Sequence, residues 1–356
     1  MEKVGIILIN YKDYANRFLV ECRDSLRSLD YPKELYQVYI ADNASTQQTR
    51  DYLSKIYPEA IILPRVDGNY SAANNAGIAQ AKQDGCSYFV IVNMDTMVDK
   101  NWLSELVKAI ESDKTVGIAQ SKILLYPKTE EEKKLPKINS LGNFIHYLGF
   151  GFTNGYNQPD REVDGLPEIN GYASGCSFII KKEALEKIGG YDEEYYMYHD
   201  DVEMCWKAML AGYKIILAPK SIIFHKYEFT RSILMVYYME RNRYLVMFHY
   251  YRWLTIILLL PAIVFLEFGV FFYSLFGKWF GLKIKANSYF LKISTWRKIL
   301  AKRKQVKILR IKSDKEIIAM FAGKILFQEI DNPVLKYIAN PILNFYLQLI
   351  KKIIVW

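Results

Sequence analysis

YFVIVNMD, residues 88–95, runs through five apolar side chains and then turns polar at Asn93 and Asp95. A run this short and this apolar reads as a strand buried on both faces, and its polar end marks where the chain leaves the sheet. The pattern recurs in VGIILIN (4–10), YQVYIADN (36–43) and AIILPR (60–65). Between these runs, residues 15–29, 46–57, 71–83 and 101–112 have helical spacing. Strands alternating with helices predict an α/β fold, a mostly parallel, Rossmann-like sheet with helices on both faces. Its polar strand ends collect on one rim, where the site should lie.

Residues 126–170 read as a charged surface loop followed by strands that cover part of the cleft. A second ordered block follows: strand 175–182, helix 183–188, the segment GGYDEEYYMYHDD (189–201), a helix from about 202 to 211 and strand 213–219. SIIFH (221–225) is also strand-like. With 356 residues, 51% hydrophobic and 24% charged, the chain is too rich in core for a disordered protein. The net charge of +9 is unevenly spread: residues 1–230 hold 26 basic against 32 acidic side chains, and residues 231–356 hold 21 against 6. We therefore expect two domains, 1–230 and a basic, aromatic, helical 231–356. A uniformly basic nucleic-acid binder has no such split, so no nucleic-acid partner is expected. Cys22, Cys86, Cys176 and Cys205 form no CxxC pair, which points to reduced thiols and a cytosolic setting. The short apolar run at the N-terminus does not read as an export signal.

Four places can carry chemistry. Asp42 ends a strand, where its carboxylate can accept from a nucleobase ring N–H with Asn10 and Tyr11 beside it; it can also simply cap the next helix. Asn93 and Asp95 project from a strand end, where a carboxylate can hold a hard divalent cation against a diphosphate, or close a capped turn. Asp200 and Asp201 open a helix with His199 before them and Glu203 after. Caps often look like this, yet adjacent carboxylates raise one another's pKa and invite an acid/base or metal-linked role. His225, one of four histidines, falls 24 positions after Asp201.

In combination, ILINYK (7–12), IADNAS (40–45), GNYSAANNAG (68–77), IVNMDT (91–96), GYASGCSFIIKKEAL (171–185), GGYDEEYYMYHDDVEMCWKAMLAGYKI (189–215) and FH (224–225) resemble glycosyltransferase family 2. This is an inverting family of GT-A fold, and the likeness is to its rhamnosyl- and galactofuranosyl-transferase-like branch. The resemblance covers residues 4–230. It implies a nucleotide-sugar held by Asn10, Tyr11, Asp42, Asn75 and Asn93, with Asp42 on the base. Asn93 and Asp95 fill the metal and diphosphate motif, with His225 reaching the metal or diphosphate. Asp201 matches the general base and Asp200 its acidic neighbour. It further implies Mg²⁺ or Mn²⁺, a UDP- or dTDP-sugar donor of rhamnose or galactose type, and a lipid-linked or growing glycan acceptor. Three positions depart from the family pattern: of the N-x-G motifs only Asn75 and Gly77 match, Asn93 replaces an acid, and His199 stands where an aromatic residue is usual. Asn69 is expected to use the left-handed region that Gly would favour.

Trp253–Gly277 is an apolar run of about 37 Å if helical, long enough to cross a bilayer. Arg241, Arg243 and Arg252 precede it and Lys278, Lys283 and Lys285 follow. Pro261 and Glu267 permit a re-entrant hairpin. The alternative is a core helix of a soluble domain. We expect attachment to an anionic membrane surface, with the catalytic domain on the cytoplasmic side. His249-Tyr-Tyr-Arg252-Trp253 nearly matches the QxxRW motif of processive family 2 synthases, without the Gln; a processive synthase is the second reading and a silent nucleotide-sugar-binding scaffold the third. Residues 297–312 and 341–356 suit helices on a lipid surface, the latter with Ile342, Phe345, Leu349 and Ile353 on one stripe.

Overall fold

The computed structural model describes residues 2–227, 236–277, 279–326 and 332–356. Two compact units emerge: Met1–Asn143 with Thr153–Ala208 and Tyr213–Tyr227, and Phe144–Phe152 with Met209–Gly212 and Glu228–Trp356. The boundary read at residue 230 and the basic flank Lys278 lie outside the described residues.

In the first unit, strand β1 (Val4–Tyr11) leads to α1 (Ala15–Arg27), β2 (Tyr36–Asn43), α2 (Gln47–Ile56), β3 (Ile61–Arg65), α3 (Tyr70–Gln83) and β4 (Tyr88–Val92). Next come β5 (Thr96–Val98), α4 (Trp102–Glu111), β6 (Val116–Leu125), the short exposed α5 (Glu130–Lys134) and β7 (Ile138–Ser140). Then β8 (Ser177–Lys181), α6 (Lys182–Ile188), α7 (Asp200–Leu210) and β9 (Lys214–His225) complete the unit. The nine strands form one sheet in the order β3-β2-β1-β4-β8-β6-β9-β5, with β7 beside β6. Pairs β1/β2, β1/β4, β2/β3 and β6/β9 are parallel; β8 runs antiparallel to β4 and β6, and β5 to β9. Because β2 and β4 flank β1, the strand order reverses there, and a crevice opens at the C-terminal ends of these strands.

Alternation along β1 serves both faces. Val4, Ile6 and Leu8 join the core with residues of α1 and α4, whereas Ile7 faces α3, where a methyl group added at Gly77 would come within 2.6 Å of it. That close approach explains the glycine at 77.

The run 88–95 ends as a strand at Val92, and Met94-Asp95 turns the chain into β5. Asn69 is extended, with φ −78°, and caps α3 by accepting from the Ala72 N–H at 3.1 Å; the positive φ falls on Gly68 instead. Strand β6 is hidden in the sequence by Gln120, Ser121 and Lys122 at its middle. Ser121 Oγ lies 2.8 Å from Ser177 Oγ and 3.0 Å from Ser221 Oγ, and accepts from Trp102 Nε1 at 2.9 Å, so these polar atoms are satisfied in the core. The two short runs after residue 213 merge into β9, with a register shift between Ala218 and Ile222.

Beyond the short strand residues of Phe144–Phe152, the second unit is helical: α8 (Val236–Tyr250), α9 (Trp253–Phe276), α10 (Phe280–Ser288), α11 (Ile293–Leu309), α12 (Asp314–Met320) and α13 (Asn340–Ile353). Helix α9 continues through Pro261 for 24 residues, so no re-entrant hairpin forms. Glu267 does not face an apolar surround unpaired: Arg243 and Lys283 each donate to it at 2.7 Å, and both also reach Glu240. At the start of α9, the Arg252 N–H donates to Asp314 at 2.7 Å and the Arg303 guanidinium lies 3.9 Å from the Trp253 ring centre. Arg252 and Trp253 thus anchor a helix start, the structural reading of this near-motif. Helix α13 buries Leu343, Leu347 and Ile350 and exposes the stripe Ile342, Phe345, Leu349 and Ile353.

Candidate functional site

All predicted site residues lie in the first unit: Asn10, Tyr11, Asp42, Asn93, Asp95 and His225 at or just past strand ends, Asn75 within α3, and Asp200 and Asp201 at the start of α7. Asp42 pairs in register with Asn10 across β2 and β1 and is fully buried. Its Oδ1 accepts from Asn10 Nδ2 at 2.6 Å, and Ser45 Oγ donates to its Oδ2. It is not a helix cap: Thr46 caps α2, accepting from the Thr49 N–H at 3.2 Å. A carboxylate has about four acceptor positions, so Asp42 retains capacity for a ligand. Asn10 is also bound within the protein: its Nδ2 donates to Lys12 O at 2.9 Å and its Oδ1 accepts from the Ala15 N–H at 2.8 Å. Tyr11, next along, is exposed.

Asn75 is likewise bound within the protein. Its Oδ1 accepts from the Tyr191 N–H at 2.8 Å, while its Nδ2 donates to Tyr191 O at 2.9 Å and Glu193 at 3.0 Å. Asn10 and Asn75 each join protein segments.

Asp95 and His225, 130 residues apart in sequence, are brought together by the sheet. Thr96 pairs with His225 across β5 and β9, and the Lys226 N–H donates to Asp95 O at 2.9 Å. The ring nitrogen His225 Nε2 consequently lies 3.5 Å from Asp95 Oδ1. Two further groups orient this pair: Tyr14 OH donates to Asp95 Oδ2 at 2.6 Å, and His225 Nδ1 lies 2.8 Å from Asn139 Oδ1. With Nδ1–H on Asn139, Nε2 is the atom turned toward Asp95. Burial opposes charge on the imidazole, yet Cys176 and Asp95 outweigh it and hold its pKa well above the ordinary value. Among the described residues no cluster of three or more His, Cys, Asp or Glu could hold a metal. One carboxylate and one imidazole nevertheless fit a divalent ion that takes its other ligands from a substrate diphosphate.

The second centre is Asp200 and Asp201. Tyr196, Tyr198 and His199 leading into α7 all have positive φ, a strained approach of the kind that collects at functional sites. Asp201 Oδ2 accepts from the Gly175 N–H at 3.2 Å and its Oδ1 from the Val202 N–H at 2.8 Å. Burial pushes the Asp201 carboxyl up to about 6, against these two backbone donors. Asp200 is driven well above the carboxylate range, first by burial and then by the Asp201 charge. Both carboxyls of the pair are thus held above the ordinary carboxylate range.

One short stretch of backbone joins the two centres. Gly175 donates to Asp201, and Cys176 O accepts from the Asn93 N–H at 3.0 Å, two residues before Asp95. Tyr70 adds a second link, its OH 3.3 Å from Asn93 Oδ1 and its ionisation suppressed by burial and by Asp200. Tyr14, Tyr70 and Asn139 were not among the residues read from sequence. Tyr70 sits inside a matched motif, whereas Tyr14 and Asn139 carry no local signal.

Residues 5–189 match the model of glycosyl transferase family 2. The chain belongs to this family. The family 2 chain is similar to N-acetylglucosaminyl-diphospho-decaprenol L-rhamnosyltransferase of Mycobacterium tuberculosis (strain CDC 1551 / Oshkosh), 25% identical over 207 residues. That alignment covers 53% of this chain and 66% of the relative, just under two thirds of its length. Rhamnosyltransferase WbbL of Escherichia coli (strain K12) is 21% identical over 230 residues, 61% of this chain and 80% of that one. Among solved structures, GalNAc-T7 with UDP, GalNAc and Mn²⁺ superposes with a TM-score of 0.56 at 15% identity, covering 71% of this chain and 48% of the other. The fold is GT-A, and the family is the one its seven motifs resemble.

Proposed function

We propose that this protein is a metal-dependent, inverting glycosyltransferase that moves a rhamnose- or galactose-type sugar from a UDP- or dTDP-sugar to a lipid-linked or growing glycan acceptor. The observation that carries the reading is the Gly175–Cys176 bridge, which ties the Asp95–His225 pair to the Asp200–Asp201 pair. Transfer to a hydroxyl needs both a leaving diphosphate with its charge neutralised and a base on the acceptor.

Asp42 and Tyr11 contact the nucleotide base, and Asn93 faces the diphosphate. Asp95 and His225, its Nε2 giving up its proton, would hold Mg²⁺ or Mn²⁺, which when bound would supply positive charge to the leaving diphosphate. Asp201 takes the proton of the acceptor hydroxyl as that oxygen attacks the anomeric carbon opposite the leaving group, so the configuration inverts. Burial keeps the proton affinity of Asp201 high enough for the task, and Asp200 stands beside it as its acidic neighbour. The acceptor reading draws on the mycobacterial relative, whose name specifies a decaprenol-linked sugar. Membrane attachment through the second unit draws on the exposed apolar length of α9 and on its basic composition.

Incubating the purified full chain with Mn²⁺ and a panel of UDP- and dTDP-sugars tests the reading through slow donor hydrolysis. One or two donors should be turned over, and EDTA should stop it. A chain that binds these donors but hydrolyses and transfers none is a scaffold instead.

A further inference from the structure

Helix α9 has the length to cross a bilayer, about 36 Å for its 24 residues. Its packing within the second unit argues for a different placement. In its first turn, Thr255 Oγ1 donates to Asp314 at 2.5 Å, and Asp314 is paired with Arg310 at 2.6 Å. In its second turn, Leu258 O accepts from Tyr346 OH at 2.6 Å. Further along, Glu267 meets Arg243 and Lys283, which are themselves closed by Glu240.

The two charged clusters lie about 20 Å apart along the helix axis. If α9 stood across a hydrocarbon layer of about 30 Å with the Asp314 cluster at one surface, four charges would sit deep inside it. If the Glu267 cluster marked the surface, only Phe268–Phe276 would remain, about 13 Å of helix and too short to cross. Lying along the surface puts both clusters at one depth. The sequence agrees: Leu254, Ile257, Val264, Phe268, Phe272 and Leu275 follow helical spacing on the side opposite the buried Leu259, Ala262 and Leu266. This stripe is exposed, Val264 at 66% and Phe268 at 69%. Residues 231–356 carry the basic excess that complements anionic headgroups.

We propose that α9 does not span the membrane but lies in the plane of an anionic leaflet, with its Leu254–Leu275 stripe in the acyl boundary and its Leu259, Ala262 and Leu266 side on protein. This rests on the membrane reading above and goes beyond it by fixing the orientation of the helix.

Nitroxide labels on Leu254→Cys, Val264→Cys and Phe276→Cys in the full chain, bound to phosphatidylglycerol-containing vesicles, test it by their oxygen and nickel accessibility. The native cysteines are buried, and the unsubstituted chain supplies the background. The three labels should report one shallow depth, about 5–10 Å below the headgroups. A deep Val264 label with both ends at headgroup level means a crossing helix and overturns the proposal. Vesicle-bound protein with all three labels in water overturns it as well, while leaving membrane attachment intact. Failure of the full chain to float with these vesicles removes the membrane reading itself, and the proposal with it.

Discussion

The two units bury charge in opposite ways. In the sheet unit, like charges are packed together: Asp200 and Asp201 adjoin, and both carboxyls are pushed up. In the helical unit, two carboxylates and two cations close a balanced square. There burial also opposes the charge on Glu240, but Arg243 and Lys283 outweigh it and lower its carboxyl to about 2. Opposite charges so arranged hold helices in register and have nothing left to do. Adjacent buried acids leave the fold strained, and burial leaves the Asp201 carboxyl ready to exchange a proton near neutral pH.

The widest gap should open on replacing one side chain of each kind. Asp201→Asn is expected to lower turnover by about two to four decades. In the wild type, kcat/KM should fall about tenfold per pH unit below about 6, as the base is protonated. Because the folded pKa is raised, the stabilising contribution of this group is full below its unfolded value and is lost as pH rises through about 6. Asp201→Asn should therefore melt higher than wild type at pH 8, by up to about 3 kcal/mol. A variant with wild-type turnover removes Asp201 from the chemistry; one that melts lower removes the strain.

In the helical unit the sign reverses. Lys283→Met leaves two carboxylates on one Arg243 and should cost about 3–5 kcal/mol in urea unfolding. The double variant Glu267→Gln with Lys283→Met restores a one-to-one pair and should recover most of that loss. If the single variant is neutral, the square is not what holds these helices.

A smaller effect is expected at the cation pair. Tyr14→Phe and Asn139→Ala each remove one orienting hydrogen bond and should weaken Mn²⁺ binding about 10- to 100-fold by calorimetry with UDP present. Unchanged affinity in both would show that Asp95 and His225 need no such support. Smallest is Thr46→Ala, expected to cost about 1 kcal/mol of stability by removing the α2 cap. Asp42→Asn should instead weaken nucleotide binding and leave that cap in place. Swapped outcomes would return Asp42 to a structural role.

The alternating runs of residues 4–95 already determine a sheet with a rim, because a strand buried on both faces must be apolar and must end where polarity returns. The carboxylates were legible at that rim for the same reason, since Asp42, Asp95 and Asp201 each interrupt a pattern that local folding can read. Outward faces were legible too, as in Ile342, Phe345, Leu349 and Ile353 on α13.

What the sequence could not specify is which polar atoms meet across long separations. Asn10 and Asn75 also bind protein segments, through Ala15, Lys12 and Tyr191, which no local pattern announces. Strand β6 carries no clear strand pattern in the sequence, and its Ser121 is satisfied only by Ser177, Ser221 and Trp102. Tyr14 and Asn139 acquire meaning only when the β5/β9 register sets His225 beside Asp95. Glu267 reads as a flaw in an apolar helix until Arg243 and Lys283 close on it. A hydrogen bond or ion pair depends on distances of a few ångströms between residues far apart in the chain, and periodicity carries no information about those distances. Burial is a property of local pattern; the partner of a buried polar group is a property of the tertiary structure alone.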